Sequence, residues 1–277
     1  MTTQPFKVGR AQDGLSLLDG LSTQRQMSRK KTKQRIDQKN VLVNGRPVWM
    51  ARHRLRTGDE ITLSGEATSF GAKPVSPTIL YEDDNYLVVS KPSMIVTTGA
   101  RSLETDLKRA LHTPTLRAVH RLDRDTTGCL LFAKSTDAFE KMVEEFKEDN
   151  ITKLYHAIVF GRFARAETEI RKRIDNKTAV TKVRRLDSRG KTSHLALSIR
   201  TGRTHQIRIH LAGIDHPVLG DRTHATAYMG DKDFRAPRQM LHASGLRFTN
   251  PISGKRVNVN DGLPDDFKAC LKKFNLT

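Results

Sequence analysis

The sequence predicts a two-part chain of mixed strands and helices without the signature of a nucleotide-binding sheet. Three observations carry that expectation. Short apolar or alternating runs that read as strands recur at 79–92, 130–133, 151–159 and 192–200, with helical periodicity confined to a few segments between them. No G-x-G-x-x-G or phosphate-loop motif appears in the chain. Residues 66–77, small and with two prolines, read as a linker between this region and a smaller, basic N-terminal segment.

The charge balance says what the chain meets. The 277 residues carry 49 Lys and Arg against 30 Asp and Glu, a formal net charge of +19. Such an excess points to a polyanion, because a basic face gains affinity by releasing counterions condensed on phosphates. An anionic membrane competes as partner, but no apolar run approaches the ~18 residues of a membrane span. Residues 1–10 lack the apolar core of a signal peptide. Two cysteines, Cys129 and Cys270, are too few for a disulfide framework or a zinc finger. The expectation is a reduced, cytoplasmic, monomeric protein with a nucleic-acid partner and no membrane contact.

Residues 1–65 hold 13 basic and 5 acidic side chains. The excess concentrates in 28–39, a helix for which Ser28 is the expected N-cap. Val41 to Val43 reads as a strand, Asn44-Gly45 as a hairpin turn, and Arg46 to Trp49 as the returning strand. Gly58-Asp59 then turns the chain into Glu60 to Leu63. A generic basic subdomain would carry similar letters. The order S-R, then V-x-V-N-G, then R-x-G-D-E-I over roughly 14–64 resembles the S-four-like RNA-binding domain, which implies RNA contact through Arg29, Lys30 and Lys33.

The larger region begins near Thr78. Ile79 to Pro92 reads as strand, acidic turn, strand, stopped by Lys91-Pro92. Leu103 to His112 is a short helix candidate. The central stretch, His120-Arg121-Leu122-Asp123-Arg124-Asp125, is a charge cluster that a protein does not bury without a partner or a task. If it is extended, Arg121 and Asp123 share one side and His120 and Leu122 the other. An adjacent arginine favours the charged form of a carboxylate, which then serves as base or nucleophile. A solvated, salt-bridged turn is the bland alternative. Thr126-Thr127-Gly128 breaks the chain before the buried strand Leu130 to Ala133.

Thr136 to Asn150 has Phe139, Met142, Val143 and Phe146 at helical spacing, a stripe expected to serve packing. Ile151 to Val159 follows as a strand, and 162–190 as strands and loops at a basic rim. Thr192 to Arg200 alternates. Thr204 is expected to cap a helix whose buried stripe is Ile207, Leu211 and Ile214, leaving Arg208 at its edge and able to reach a cleft. His205, His210, His216 and His224 lack cysteine or carboxylate at ligand spacing, so no metal is expected.

Four ordered blocks over about 79–260 resemble the RluA-type pseudouridine synthase family. They are Y-E-D-x-x-x-L-V-V-x-K-P at Tyr81 to Pro92, H-R-L-D-x-x-T-x-G at His120 to Gly128, K-x-Y-x-A at Lys153 to Ala157, and T-G-R-T-H-Q-I-R-x-H-L at Thr201 to Leu211 with H-P-x-x-G-D at His216 to Asp221. The chain departs from the pattern at three places: Thr127 stands for Ser, Ser93-Met94 for Ala-Gly, and Asn250 for a His. Met at a position where glycine is usual leaves that loop's geometry open, because glycine accepts positive φ and Met does not do so cheaply.

The resemblance implies an α+β catalytic fold rather than a parallel sheet, with a mixed, largely antiparallel sheet crossed by a basic cleft, and an isomerase that turns uridine in RNA into pseudouridine without metal, ATP or redox cofactor. It assigns catalysis to Asp123, Tyr155 and Arg208. Asp123 would attack the anomeric carbon or remove the 2′ proton, and both routes stay open. Arg208 would keep Asp123 ionised, and Tyr155 would stack on the base and assist proton removal. Arg121 would hold the backbone or fill the space of an extruded nucleotide, with His120, Arg203 and His205 completing the RNA contacts. Ribosomal RNA is the expected substrate and tRNA the alternative. The rivals are a non-catalytic RNA-binding or ribosome-assembly protein, and a nuclease using His205 or His210.

Overall fold

A computed structural model describes residues 3–37, 40–48, 50–63, 77–225 and 234–277. The chain divides into two compact units, Met1–Lys73 and Pro74–Thr277. The linker expected at 66–77 lies outside the described residues except for its last position, as does Trp49 at the end of the returning strand.

The first unit contains β1 (Thr3–Lys7), α1 (Leu17–Arg25), α2 (Arg29–Asp37), β2 (Val41–Val43), β3 (Arg46–Pro47) and β4 (Glu60–Leu63), its sheet running β1-β4-β2-β3. Ser28 caps α2 as expected, its hydroxyl accepting the Lys31 N–H. The hairpin between β2 and β3 turns on Asn44 and Gly45, at φ 51° and 71°, the left-handed pair that such a two-residue turn requires. Leu17, Leu21, Ile36, Val41 and Ile61 close a small core that leaves the basic side of α2 to solvent.

The second unit is built on one sheet of ten strands, β5 (Ile79–Glu82), β6 (Tyr86–Lys91), β7 (Arg117–Ala118), β8 (Thr127–Ala133), β9 (Thr152–Phe160), β10 (Glu167–Arg171), β11 (Val180–Arg189), β12 (Thr192–Ile199), β13 (Leu241–Thr249) and β14 (Arg256–Asn260). The main order is β10-β11-β12-β9-β13-β8-β6-β5, with β14 on β13 and β7 on β8. All of these pairings are antiparallel except β8 with β13. Its helices are α3 (Leu103–Ala110), α4 (Thr136–Lys147), α5 (Gln206–Ala212) and α6 (Asp265–Lys273).

The central strand β8 is covered on both faces, which is why its letters run apolar without alternation. Leu130 and Phe132 pack with Leu107 of α3 and Ile207 and Leu211 of α5, whereas Cys129, Leu131 and Ala133 pack with Ala138 and Met142 of α4. β8 also starts earlier than its apolar run. Thr127 and Gly128 already pair with His242 and Ala243. Gly128 sits at φ 114°, and a Cβ there would lie 2.2 Å from the Ala243 carbonyl oxygen. The glycine marks a close approach of two parallel strands rather than a turn. Among the described residues no helix is long and apolar enough to cross a membrane.

Candidate active site

Four elements converge where β8 begins. The loop 119–126 enters β8, β9 contributes Lys153 and Tyr155, α5 contributes Arg208, and the start of β13 lies beside them. They enclose a cavity of about 350 Å³ whose walls include Asp123, Tyr155, Arg208, Phe146 and Ile199. That volume lies at the lower end of small-ligand sites, ~300–1,000 Å³. Asp123 opens into it with a side chain only 25% exposed.

Each Asp123 carboxylate oxygen faces a nitrogen base. Arg208 Nη1 donates to Oδ2 at 2.7 Å, and His205 Nε2 stands 3.7 Å from Oδ1. Arg208 is divided between two acids. Its Nε and Nη2 hold Asp221 bidentately, both at 2.7 Å. Asp221 is buried and also accepts the backbone N–H groups of Thr223 and His224. Burial opposes the charge on Arg208, but the hydrogen bonds it donates to Asp221 and Asp123 outweigh it and raise its pKa. For Asp221, burial is likewise outweighed, here by the Arg208 hydrogen bond and the two N–H groups, and its pKa falls. The fork geometry that serves two carboxylates at once is available to arginine and not to lysine.

The sequence predicted the Arg208–Asp123 pair but left Asp221 without a role, although its motif included that residue. Arg208 sits in the first turn of α5, which starts one residue later than expected. Thr204 does not cap it. His205 is the N-cap, at φ 54° and with no side-chain cap bond. Gln206 instead folds its amide back on the preceding turn, accepting the Arg203 N–H and the Thr201 hydroxyl and donating to the Val180 carbonyl. Local polar bonding displaced the capping pattern there. Ile207 and Leu211 are buried as predicted and Ile214 packs beside them.

The loop carrying Asp123 is pinned carbonyl by carbonyl. The Thr97 hydroxyl donates to the Leu122 carbonyl at 3.0 Å and accepts the Leu122 N–H at 3.1 Å. The Asp123 carbonyl accepts the Thr126 N–H. Lys91 Nζ donates to Arg124 O at 3.0 Å and to Pro92 O and Ile95 O, both at 2.8 Å. Arg238 Nη1 reaches Asp125 O at 3.2 Å, while its Nε and Nη2 pair with Asp266 of α6. Lys91 is fully buried, and burial above all lowers its pKa to about 7. Thr127, in the place of a serine, uses its hydroxyl against His242 Nδ1 at 2.9 Å. Neither Thr97 nor Arg238 stood out in the sequence. Each is one threonine or arginine among many, and its partner is a backbone carbonyl remote in the chain.

The other predicted residues separate by environment. Tyr155 is buried and lines the cavity, and burial first, then the Asp123 charge, pushes its phenol pKa up, so it keeps its proton. Arg121 is exposed at the cavity mouth, and Arg203 lines the same wall. His120 lines the cavity too, but its Nε2 accepts the Leu131 N–H at 3.1 Å and its ring stacks on Phe146 at 5.2 Å. Burial lowers its pKa to about 3, so it contributes no charge. His210 is away from the cavity, buried between the Thr181 hydroxyl and the Lys172 carbonyl, which removes it as a nuclease base. Arg29, Lys30 and Lys33 lie exposed on α2 of the first unit. The α4 stripe does more than pack. Ala138 and Met142 are buried, whereas Val143 and Phe146 form part of the cavity wall. The closing Asn250 is buried, donates to Asp83 and accepts the N–H groups of Ile252 and Ser253.

Of the four histidines weighed for zinc, His216 faces the Phe160 carbonyl, and His205 and His224 meet each other at 3.2 Å. Among the described residues no three His, Cys, Asp or Glu side chains gather to hold a metal ion.

Comparison with known proteins gives the geometry a context. Residues 85–213 match the family described as RNA pseudouridylate synthase. The chain is 33% identical to the ribosomal large subunit pseudouridine synthase D of Vibrio parahaemolyticus and 34% identical to that of Haemophilus influenzae, in each case over 88% of this chain and 86% of the relative. Among solved structures, the human RNA pseudouridylate synthase domain containing 1 superimposes with a TM-score of 0.60 at 27% identity, covering 71% of this chain and 88% of that one.

Proposed function

The chain belongs to the RNA pseudouridylate synthase family and isomerises uridine in RNA; from that premise we propose that it acts on large-subunit ribosomal RNA, with Asp123 as the catalytic carboxylate. The reaction breaks the bond from C1′ of the sugar to N1 of uracil and forms one from C1′ to C5. A proton leaves C5 and one arrives at N1, so no electrons or external groups are exchanged. The observation that supports the assignment is Asp123 at a cavity wall, held at 2.7 Å by an Arg208 that Asp221 fixes from behind. A carboxylate so held is aimed into the cavity in one orientation, as attack on the anomeric carbon or removal of the 2′ proton requires.

The uridine must first leave its stack, at a cost of a few kcal/mol. In this reading Arg121 occupies the vacated space or holds the backbone, and His205 and Arg203 contact the flanking nucleotide. Tyr155 offers the extruded base a stacking face. Its phenol is protonated at rest, and it handles the C5 proton once C1′ is bonded there. The first unit, with Arg29, Lys30 and Lys33, is the RNA-binding module, and the enzyme works as a cytoplasmic monomer. The test is Asp123→Ala with large-subunit ribosomal RNA. Binding should persist while pseudouridine, read by nucleoside chromatography, disappears, and unchanged modification would refute the role of Asp123.

A further inference from the structure

One loop beside the site is neither buried nor charged. After β6 the chain runs through Pro92, Ser93, Met94, Ile95 and Val96 before returning to Thr97. Met94 is at φ 68°, the left-handed region that favours glycine, and it stands where the resembled motif has one. Its side chain nevertheless faces solvent at 53% exposure, and Val96 at 41%. Met94 holds a large, half-exposed apolar side chain on left-handed backbone, and strain of that kind clusters at functional sites.

The loop is also rigid where it meets the catalytic segment. Lys91 ties Pro92 O and Ile95 O to Arg124 O, and Thr97 ties the far end to Leu122. Ile95 packs against the core beneath. Val96 then lines a second cavity, of about 390 Å³, together with Arg121, Asp123, Arg124 and Arg222. Val96, apolar among these guanidinium groups and two residues from Met94, suits a nucleic acid, which presents flat base faces beside phosphates. It suits an apolar protein surface poorly, because the arginines would then lose water without gaining an anion.

We propose that Met94 and Val96 form an apolar wedge that packs against the nucleobase adjoining the target uridine and holds the stack open while that uridine occupies the cavity of Asp123. The proposal rests on the RNA reading above and adds a residue pair to it. Buried ties on both sides of the wedge fix its spacing from Asp123, so opening the stack and presenting the uridine are one rigid event. Apolar side chains inserted at base steps commonly open duplexes in this way.

The test is single-turnover pseudouridine formation by the full chain on large-subunit ribosomal RNA, followed by synthetic RNAs spanning the modified position. In these the neighbouring nucleotides are either intact or abasic. Met94→Gly removes the wedge and relieves the backbone, so its melting temperature should be unchanged or higher, yet its rate on intact RNA should fall by about five- to tenfold. On the abasic RNA, which has no neighbour to hold, the variant and the wild type should converge. Val96→Ser should act in the same direction and decides the matter if Met94→Gly does not fold. Equal rates on intact RNA, or equal slowing on both RNAs, overturn the wedge while leaving the enzyme assignment intact. No pseudouridine with the wild-type chain overturns the ribosomal reading and the wedge with it.

Discussion

The cations of α2 and those beneath the Asp123 loop share a charge and little else. Side chains on α2 are open to water, Arg29 at 69% and Lys33 at 59%, and their partners are the neighbouring surface acids Asp19 and Asp37. Lys91, Arg208 and Arg238 are at 0%, 5% and 4%, and each is spent on fixed acceptors: carbonyls for Lys91, carboxylates for Arg208, and both for Arg238. An exposed cation can trade water for phosphate cheaply, whereas a buried one has already given up its water and can only hold what is built around it. Net charge of +19 therefore overstates the binding surface, because part of it is positioning machinery.

Substitutions should separate the two groups by size of effect. The largest belongs to Arg208→Met, which strands Asp221 in the interior and frees Asp123. Removing one partner of a buried pair costs about 3–5 kcal/mol. Pseudouridine formation should vanish, and a denaturant midpoint that does not move would show that the pair carries no structure. Arg208→Lys should fail as an enzyme as well, since one ammonium cannot serve Asp221 bidentately and still reach Asp123.

Lys91→Met is next. It leaves three carbonyls without a donor, and each unmet buried acceptor costs about 1–3 kcal/mol, offset in part because an ammonium no longer has to be buried. It also carries a pH signature. The folded Lys91 releases its proton near pH 7, well below an unfolded lysine, so between pH 7 and 9 the unfolded chain binds more protons and stability rises with pH. That rise, followed by urea unfolding, should be absent in the variant.

Partly buried histidines repeat the pattern on the acid side. Burial, joined by the neighbouring His194, His242 and Arg184, lowers His156 to about 4, and burial lowers His120 to about 3. Both stay neutral in the fold while the unfolded chain protonates them near pH 6.5. Stability should thus be lost as pH falls from 6.5 toward 4, and His156→Gln should shallow the slope of the unfolding midpoint against pH. The smallest effect on the fold belongs to Lys30→Gln with Lys33→Gln. Stability should change by under about 0.5 kcal/mol. The slope of RNA affinity against salt should nevertheless fall by about 0.7–0.9 for each phosphate contact removed. An unchanged slope would take α2 out of the RNA interface.

Much of this was readable in the letters. The hairpin at Asn44-Gly45, the N-cap at Ser28 and the doubly buried strand at Leu130 to Ala133 follow from local rules that act over a few residues. Asp123, Tyr155 and Arg208 were named because their motifs are distinctive, and the three line one cavity. Thr204 as a cap was wrong, because Gln206 found better partners in Thr201 and Val180. The α4 stripe was read as uniform packing, because helical spacing says which residues face inward but not whether protein or a cavity lies there.

From its residues alone this chain declared a basic, two-part protein, most of its strands and helices, and the acid at its centre, since periodicity, turn chemistry and charge are written locally. Folding in three dimensions settled what surrounds that acid. Asp221 stands behind Arg208, Arg238 beneath Asp125, Thr97 beside Leu122, and Met94 is forced into a glycine's conformation at the rim. Such contacts join residues up to 113 positions apart, as Arg238 joins Asp125, and hydrogen bonds between distant segments leave no period or motif to read.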